Sequence, residues 1–185
     1  MNDIIAFDFD GVLANTNVLK RKWLYDNIHK LFLNVDKTNI YDILSKTYSL
    51  DEINNIYYQM SQDIFTKKQL LKTEMMDQNL QYYLDILSQK YDFIIITNRP
   101  EYMIEWVNEW LSNKQIDKYF KKIISSSNNS KSNLALLNNA SILIDDDIRH
   151  LNNSNVPYNI LFNSKFIDNW EELLDYILNI KKIVK

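Results

Sequence analysis

A chain of 185 residues, 46% of them apolar, can close one hydrophobic core and still carry an insertion of its own. Its net charge of -3 and pI near 5.4 exclude the basic face of a protein dedicated to long nucleic acids, though not a local pocket for a small anion. The absence of cysteine rules out disulfides and thiolate metal sites, and no apolar run approaches the roughly 18 residues that a bilayer span requires.

The chain opens on MNDIIAFDFD, which has neither a basic leader region nor a long apolar stretch. The expectation is a soluble, cytoplasmic protein with no membrane partner. Ile4-Ile5-Ala6-Phe7 is the first of five short apolar runs and reads as a strand buried on both faces. Asp8-Phe9-Asp10-Gly11-Val12-Leu13 follows it directly. In an open α/β sheet, ligands bind beyond the carboxyl ends of the strands. Two carboxylates at i and i+2 in such a place can converge on one site. Buried carboxylates are costly unless a cation pairs with them, and an all-oxygen ligand set favours Mg²⁺. The competing reading is an Asp-Gly turn. Gly11 is the chain's only glycine, where average usage is about 7%. It therefore marks a backbone conformation that other residues tolerate poorly.

Helical patterns fill the next stretch: Val18 to Phe32, Ile40 to Thr47 and Leu50 to Phe65. Residues 16–76 are too many for one crossover helix and predict a small helical cap. Its aromatics are Trp23, Tyr25, Phe32, Tyr41, Tyr48, Tyr57, Tyr58 and Phe65. Most of them, at helical spacing, should form the cap's own core, leaving a minority to stack on a base. Lys20, Arg21 and Lys22 are either a solvated face or a site for a second anionic group. Asp77 to Lys90 is the expected crossover helix.

The second strand, Phe93 to Ile96, runs into Thr97-Asn98-Arg99-Pro100. A hydroxyl and backbone N–H groups at a helix start can hold a phosphate, or Thr97 or Asn98 can simply cap the helix from Glu101 to Leu111. After the strand around Ile123-Ile124, Lys131 opens a helix that runs through Ser132 to Asn139. A lysine there opposes the helix dipole and seeks an anion, unless it is merely solvated. The strand Ile142-Leu143-Ile144 ends in Asp145-Asp146-Asp147, which either surrounds a cation or forms an acidic helix N-terminus. A strand Asn159 to Phe162 and a helix Trp170 to Ile180 complete the pattern. Alternation of strands and helices predicts an α/β fold: a Rossmann-like parallel sheet with helices on both faces. The core spans 1–15 and 77–185, and the cap spans 16–76.

The order Asp-x-Asp, Thr, Lys, Asp-Asp at successive strand ends resembles the haloacid dehalogenase superfamily of phosphotransferases. Asp8 and Asp10 match its first motif, Thr97 its second, Lys131 its third and Asp145-Asp146 its fourth. AFDFDGVLAN, IITNRPEYMIEWVNEWL, LIDDD and NWEELLDYI are similar to the 5′(3′)-deoxyribonucleotidase-like branch. The chain departs from that branch at Asn15 and at Asp147-Ile148-Arg149-His150. The resemblance implies a Mg²⁺-dependent phosphomonoesterase acting on a nucleoside or deoxynucleoside monophosphate; the alternatives are a phosphatase of another small metabolite such as a sugar phosphate or of nucleic-acid ends, and a non-catalytic binding module that keeps the fold. It gives Asp8 the nucleophilic attack and Asp10 general acid and base duty. Thr97, the Asn98 backbone, Lys131 and Arg99 would hold the substrate phosphate. Asp8, the Asp10 carbonyl and Asp146 would ligate the metal, with Asp145 in support. The implied partner is a small phosphorylated metabolite, and a homodimer stays open.

Overall fold

The computed structural model of the chain describes residues 2–28, 40–127 and 129–183. The five apolar runs form β1 (Asp3–Phe7), β2 (Tyr91–Thr97), β3 (Phe120–Ser125), β4 (Ala140–Asp145) and β5 (Tyr158–Leu161). They make a 5-stranded sheet in the order β3-β2-β1-β4-β5, and every neighbouring pair is parallel. The chain leaves central β1 for β2 and β3 on one side, then crosses back to β4 and β5 on the other. The strand order therefore reverses at β1, which is where an open sheet leaves a crevice beyond its carboxyl ends.

Both faces of the sheet are covered, which is why its strands read as unbroken apolar runs. Side chains alternate between faces. Ile5, Phe7, Phe93, Ile95, Ile142 and Ile144 pack into the larger core, together with Leu84, Trp110, Trp170 and Ile177. Ala6, Ile94, Ile96 and Leu143 pack on the opposite face against Ala135 and Leu151. Trp170 is fully buried and stacks on Phe7 at 5.7 Å and on Tyr83 at 6.2 Å. Burying such a side chain is worth about 1.5–3 kcal/mol.

The helices are α1 (Asn17–Asn27), α2 (Ile40–Leu44), α3 (Leu50–Ile64), α4 (Lys67–Lys72), α5 (Leu80–Ser88), α6 (Ile104–Asn113), α7 (Lys131–Leu137), α8 (Ile148–Leu151) and α9 (Trp170–Ile183). Helix α6 begins later than expected, because Glu101–Met103 after Pro100 forms a 3-10 turn. Helix α1 ends at Asn27, and residues 29–32 of the expected helix, Phe32 among them, lie outside the described residues. Helix α3 starts on a capping box, with Ser49 and Glu52 satisfying each other's backbone N–H groups. Helices α1 to α3 share a cluster built on Trp23, Leu24, Leu44, Ile53, Met60 and Ile64, with Tyr41, Tyr48, Tyr57 and Phe65 packed against it. Those aromatics do form the segment's own core, as their spacing implied. Helix α4 instead buries Leu70 in the larger core, and the Trp110 indole N–H donates to the Thr73 carbonyl at 2.8 Å. Among the described residues, no helix is long and apolar enough to cross a membrane.

Candidate active site

The carboxyl ends of β1, β2 and β4 bring most of the sequence-predicted residues together. Asp8 stands one residue past β1, and its N–H donates to the Ile144 carbonyl at 2.8 Å, prolonging the sheet ladder. The nucleophile candidate is thereby fixed to the sheet and not to a free loop. The loop after it turns at Gly11, whose φ is +85°. A side chain is strained in that left-handed region, as the lone glycine implied. The Trp170 indole N–H holds the Val12 carbonyl at 2.9 Å, and the Asn163 amide donates to the Gly11 carbonyl at 3.2 Å.

Lys131 is buried, not solvated. Its Nζ lies 2.8 Å from Asp8 Oδ1 and 2.8 Å from Asp145 Oδ2. Burial acts to discharge it, but the Asp8 and Asp145 carboxylates outweigh burial and push its pKa up. The helix start that opposes a lysine is thus offset by two anions. The Phe9 N–H also donates to Asp8 Oδ1, at 2.7 Å, so Oδ2 is the oxygen left for chemistry.

Asp8, Asp145 and Asp146 offer ligand atoms that all lie within 4.8 Å of one another. Burial pushes Asp8 well up, and Asp145, Asp146 and Asp10 push further against the pull of Lys131. Burial also pushes Asp146 up; Lys20 pulls against it and Asp145 adds to it. Two carboxylates resisting ionisation in one oxygen cluster fit a divalent cation, which would relieve both. Asp145 is more fully engaged than Asp146. It accepts from Lys131, from the Asp147 N–H at 2.9 Å and from His150 Nδ1 at 3.1 Å. Burial pushes it up, but His150 and Lys131 outweigh that and hold it below the usual carboxylate range. Asp146 receives the Asn17 amide at 3.1 Å. Asp147 leaves the cluster: it caps α8 and pairs with Arg149.

Asp10 makes a bidentate pair with Arg99, Nε to Oδ2 at 2.9 Å and Nη2 to Oδ1 at 2.8 Å. Burial pushes Asp10 up, but Arg99 outweighs it and, with Lys20, holds the carboxyl below its usual range. The guanidinium lies 5.4 Å from the Phe9 ring centroid and 4.9 Å from that of Phe65. Its remaining nitrogen, Nη1, is buried without a hydrogen-bond partner among the described residues. Arg99, expected at the phosphate, thus sits on Asp10 with one donor to spare. Thr97 is buried at the end of β2, where its Oγ1 accepts the Arg99 N–H at 3.3 Å. The Asn98 side chain turns to His150, with 3.1 Å between Nδ2 and Nε2.

His150 is the site residue that the sequence did not disclose. It lies five residues past Asp145 and 52 from Asn98, so no local spacing marks it.

The sequence matches no family model and no curated protein. Solved structures do match it along its length. A haloacid dehalogenase-like hydrolase from Streptococcus pneumoniae aligns at TM-score 0.63 and 16% identity, over 100% of this chain and 99% of the other. The haloacid dehalogenase-type hydrolase YfnB of Bacillus subtilis, solved bound to magnesium, aligns at 0.60 and 16%, over 97% and 99%. The fold is that of the haloacid dehalogenase-like hydrolases. A Geobacter sulfurreducens hydrolase of subfamily IA in that superfamily aligns at 0.55 and 14%, over 95% and 96%.

Proposed function

We propose that this chain hydrolyses small phosphomonoesters, nucleoside or deoxynucleoside monophosphates first, through a phosphate carried on Asp8. The observation that carries this reading is the grouping of Asp8, Asp145 and Asp146 within 4.8 Å, with Lys131 2.8 Å from Asp8. Phosphoryl transfer needs charge neutralisation and positioning above all else, and this cluster supplies both.

Asp8, Asp146 and the Asp10 carbonyl are the groups to hold Mg²⁺, with Asp145 in support. When bound, the ion screens the repulsion between a carboxylate and a phosphate and orients the two. Asp8 Oδ2 attacks phosphorus as the bond to the leaving oxygen breaks, and Asp10 gives that oxygen a proton. Water then attacks phosphorus, returns a proton to Asp10 and frees Asp8 with release of inorganic phosphate. Lys131 stays against Asp8 throughout and neutralises the phosphoryl oxygens. Thr97 Oγ1 already accepts the Arg99 N–H, which leaves its hydroxyl proton for a phosphoryl oxygen.

As it stands, Asp10 is in the charged form that suits the base step. The acid step requires a proton on Asp10, and therefore a weaker grip by Arg99. Substrate engagement by Nη1 supplies the means to draw Arg99 away. Helices α1 to α3, which share their own hydrophobic cluster, act as the cap. Phe65 over Arg99 and Tyr41 beneath Arg149, 5.4 Å from its guanidinium carbon, bring aromatic faces and cations to the junction of cap and core. These features and the branch resemblance support a nucleotide.

The test is a panel of nucleoside monophosphates and sugar phosphates assayed side by side for phosphate release with Mg²⁺. A nucleoside monophosphate as preferred substrate is expected. Equal, feeble turnover of every member would refute the substrate class, and no turnover of any would refute the activity.

A further inference from the structure

We propose that His150 is a positioning residue that ties the phosphate-binding end of β2 to the carboxylate cluster at the end of β4. The proposal rests on the phosphatase reading for its kinetic consequences, though not for its geometry. In the sheet, β2 and β4 are not neighbours; β1 lies between them. A contact from Asn98 to Asp145 must therefore reach across the end of β1. Asn98 and Asp145 are bridged by the imidazole of His150, with Nε2 3.1 Å from Asn98 Nδ2 and Nδ1 3.1 Å from Asp145 Oδ2.

The shortest hydrogen bonds give the bridge a direction. Asp145 is fully buried and already accepts from Lys131 and from the Asp147 N–H, so it acts as a carboxylate acceptor. The His150 proton facing it belongs on Nδ1. Ser126 Oγ lies 2.5 Å from Asn98 Oδ1 and 3.1 Å from the Thr97 carbonyl, and its one proton goes to the nearer oxygen, which turns the Asn98 NH₂ towards the ring. Nε2 then accepts from Asn98. The result is an ordered chain from Ser126 through Asn98 and His150 to Asp145. Lys131 continues it by donating to both Asp145 and Asp8. Asn98 is exposed at the end of a strand, and these two contacts hold its side chain. The peptide that presents N–H groups to phosphate is thereby fixed relative to the carboxylates that receive the metal. Partners that orient a ligating group, when removed, typically cost about 10–100-fold in metal affinity or activity.

Three variants separate the two halves of the bridge. His150→Asn keeps a donor near Nδ1 and loses the contact with Asn98. His150→Gln keeps a partner near Nε2 and loses the contact with Asp145. His150→Phe loses both. On an aryl phosphate with Mg²⁺, His150→Asn is expected to raise KM and the inhibition constant for inorganic phosphate, and to resemble Asn98→Ala. The double variant should add little to either. His150→Gln is expected instead to raise the Mg²⁺ concentration for half-maximal rate, and His150→Phe to show both defects. Additive effects of His150→Asn and Asn98→Ala, or unchanged constants in His150→Phe, would overturn the proposal.

A second measurement needs no turnover and survives failure of the phosphatase reading. The ¹⁵N spectrum of the histidine rings in the wild-type protein should show one ring protonated on Nδ1 and unprotonated on Nε2. The signal should vanish in a His150 variant and change its Nε2 shift in Asn98→Ala. Protonation of that ring on Nε2 alone would contradict the bridge.

Discussion

A Cβ placed on Gly11 would lie 2.0 Å from Oδ2 of Asp146 and 2.7 Å from its Cγ. The turn after β1 and the acidic end of β4 thus interlock, and the only glycine in the chain makes the space. Gly11→Ala meets two penalties, a left-handed φ worth about 1–2 kcal/mol and the displacement of Asp146. It should lower Tm and weaken Mg²⁺ binding together. In an Asp146→Ala background the two closest contacts are gone and only the Asn17 amide, at 2.9 Å, stays near, so the Tm cost of Gly11→Ala should shrink. Thermal melts of the four proteins check this, and simple additivity would argue against the interlock.

The pairing of Asp10 with Arg99 sets a pH dependence. The folded-state pKa of Asp10 is depressed, so its contribution to stability is fully present above the unfolded value of about 3.9 and is lost as pH falls through the folded value. Arg99→Met should therefore destabilise the protein most near neutral pH. The gap in Tm from wild type should narrow as pH falls below about 4. A gap of constant size across that range would mean that packing on Phe9 and Phe65, not the ion pair, dominates.

Mg²⁺ should stabilise the fold, because it relieves the mutual repulsion of Asp8 and Asp146. At a hundredfold excess over Kd, linkage gives about 2.7 kcal/mol. For a chain of this size that is roughly 5–10 °C in Tm. Asp146→Ala should lose most of that gain and, without Mg²⁺, be no less stable than wild type. A full shift retained in Asp146→Ala would move the ligand role to Asp145.

Trp170 anchors the active-site loop from the opposite end of the sequence. Trp170→Phe keeps an aromatic ring against Phe7 and Tyr83 but strands the Val12 carbonyl without its donor. An unsatisfied buried polar group costs about 1–3 kcal/mol. Urea unfolding should show a loss in that range, with activity falling further than the folded fraction alone explains.

The sheet was legible because its strands are buried on both faces, so Ile94-Ile95-Ile96 and Ile142-Leu143-Ile144 stand out as unbroken apolar runs. The positions of Asp8, Thr97, Asp145 and Asp146 at strand ends, and of Lys131 at the start of α7, followed from that reading. Helices α4 and α8 escaped it, since KKQLLK and IRHL are too short to show a 3.6-residue period. Pairings escaped it too. Arg99 was placed near the phosphate by its neighbours in sequence, but its partner Asp10 lies 89 residues away. The sequence leaves Asp147 between a cation cluster and an acidic helix N-terminus, and the backbone turn at the end of β4 decides for the second, with Asp147 capping α8. His150 carries no local pattern, because its two contacts come from different strand ends.

The central claim is that Asp8 carries the phosphate. Asp10→Asn enzyme, mixed with an aryl phosphate and Mg²⁺ and quenched in acid, tests it most directly. The good leaving group lets the first step proceed without the acid, while the second step still lacks its base, so phosphate should accumulate. Peptide mass spectrometry is expected to find a phosphate adduct on Asp8 that is absent when Asp8→Asn is treated alike. No adduct on Asp8, together with wild-type turnover by Asp8→Asn, would contradict the account and leave a metal-activated water as the nucleophile.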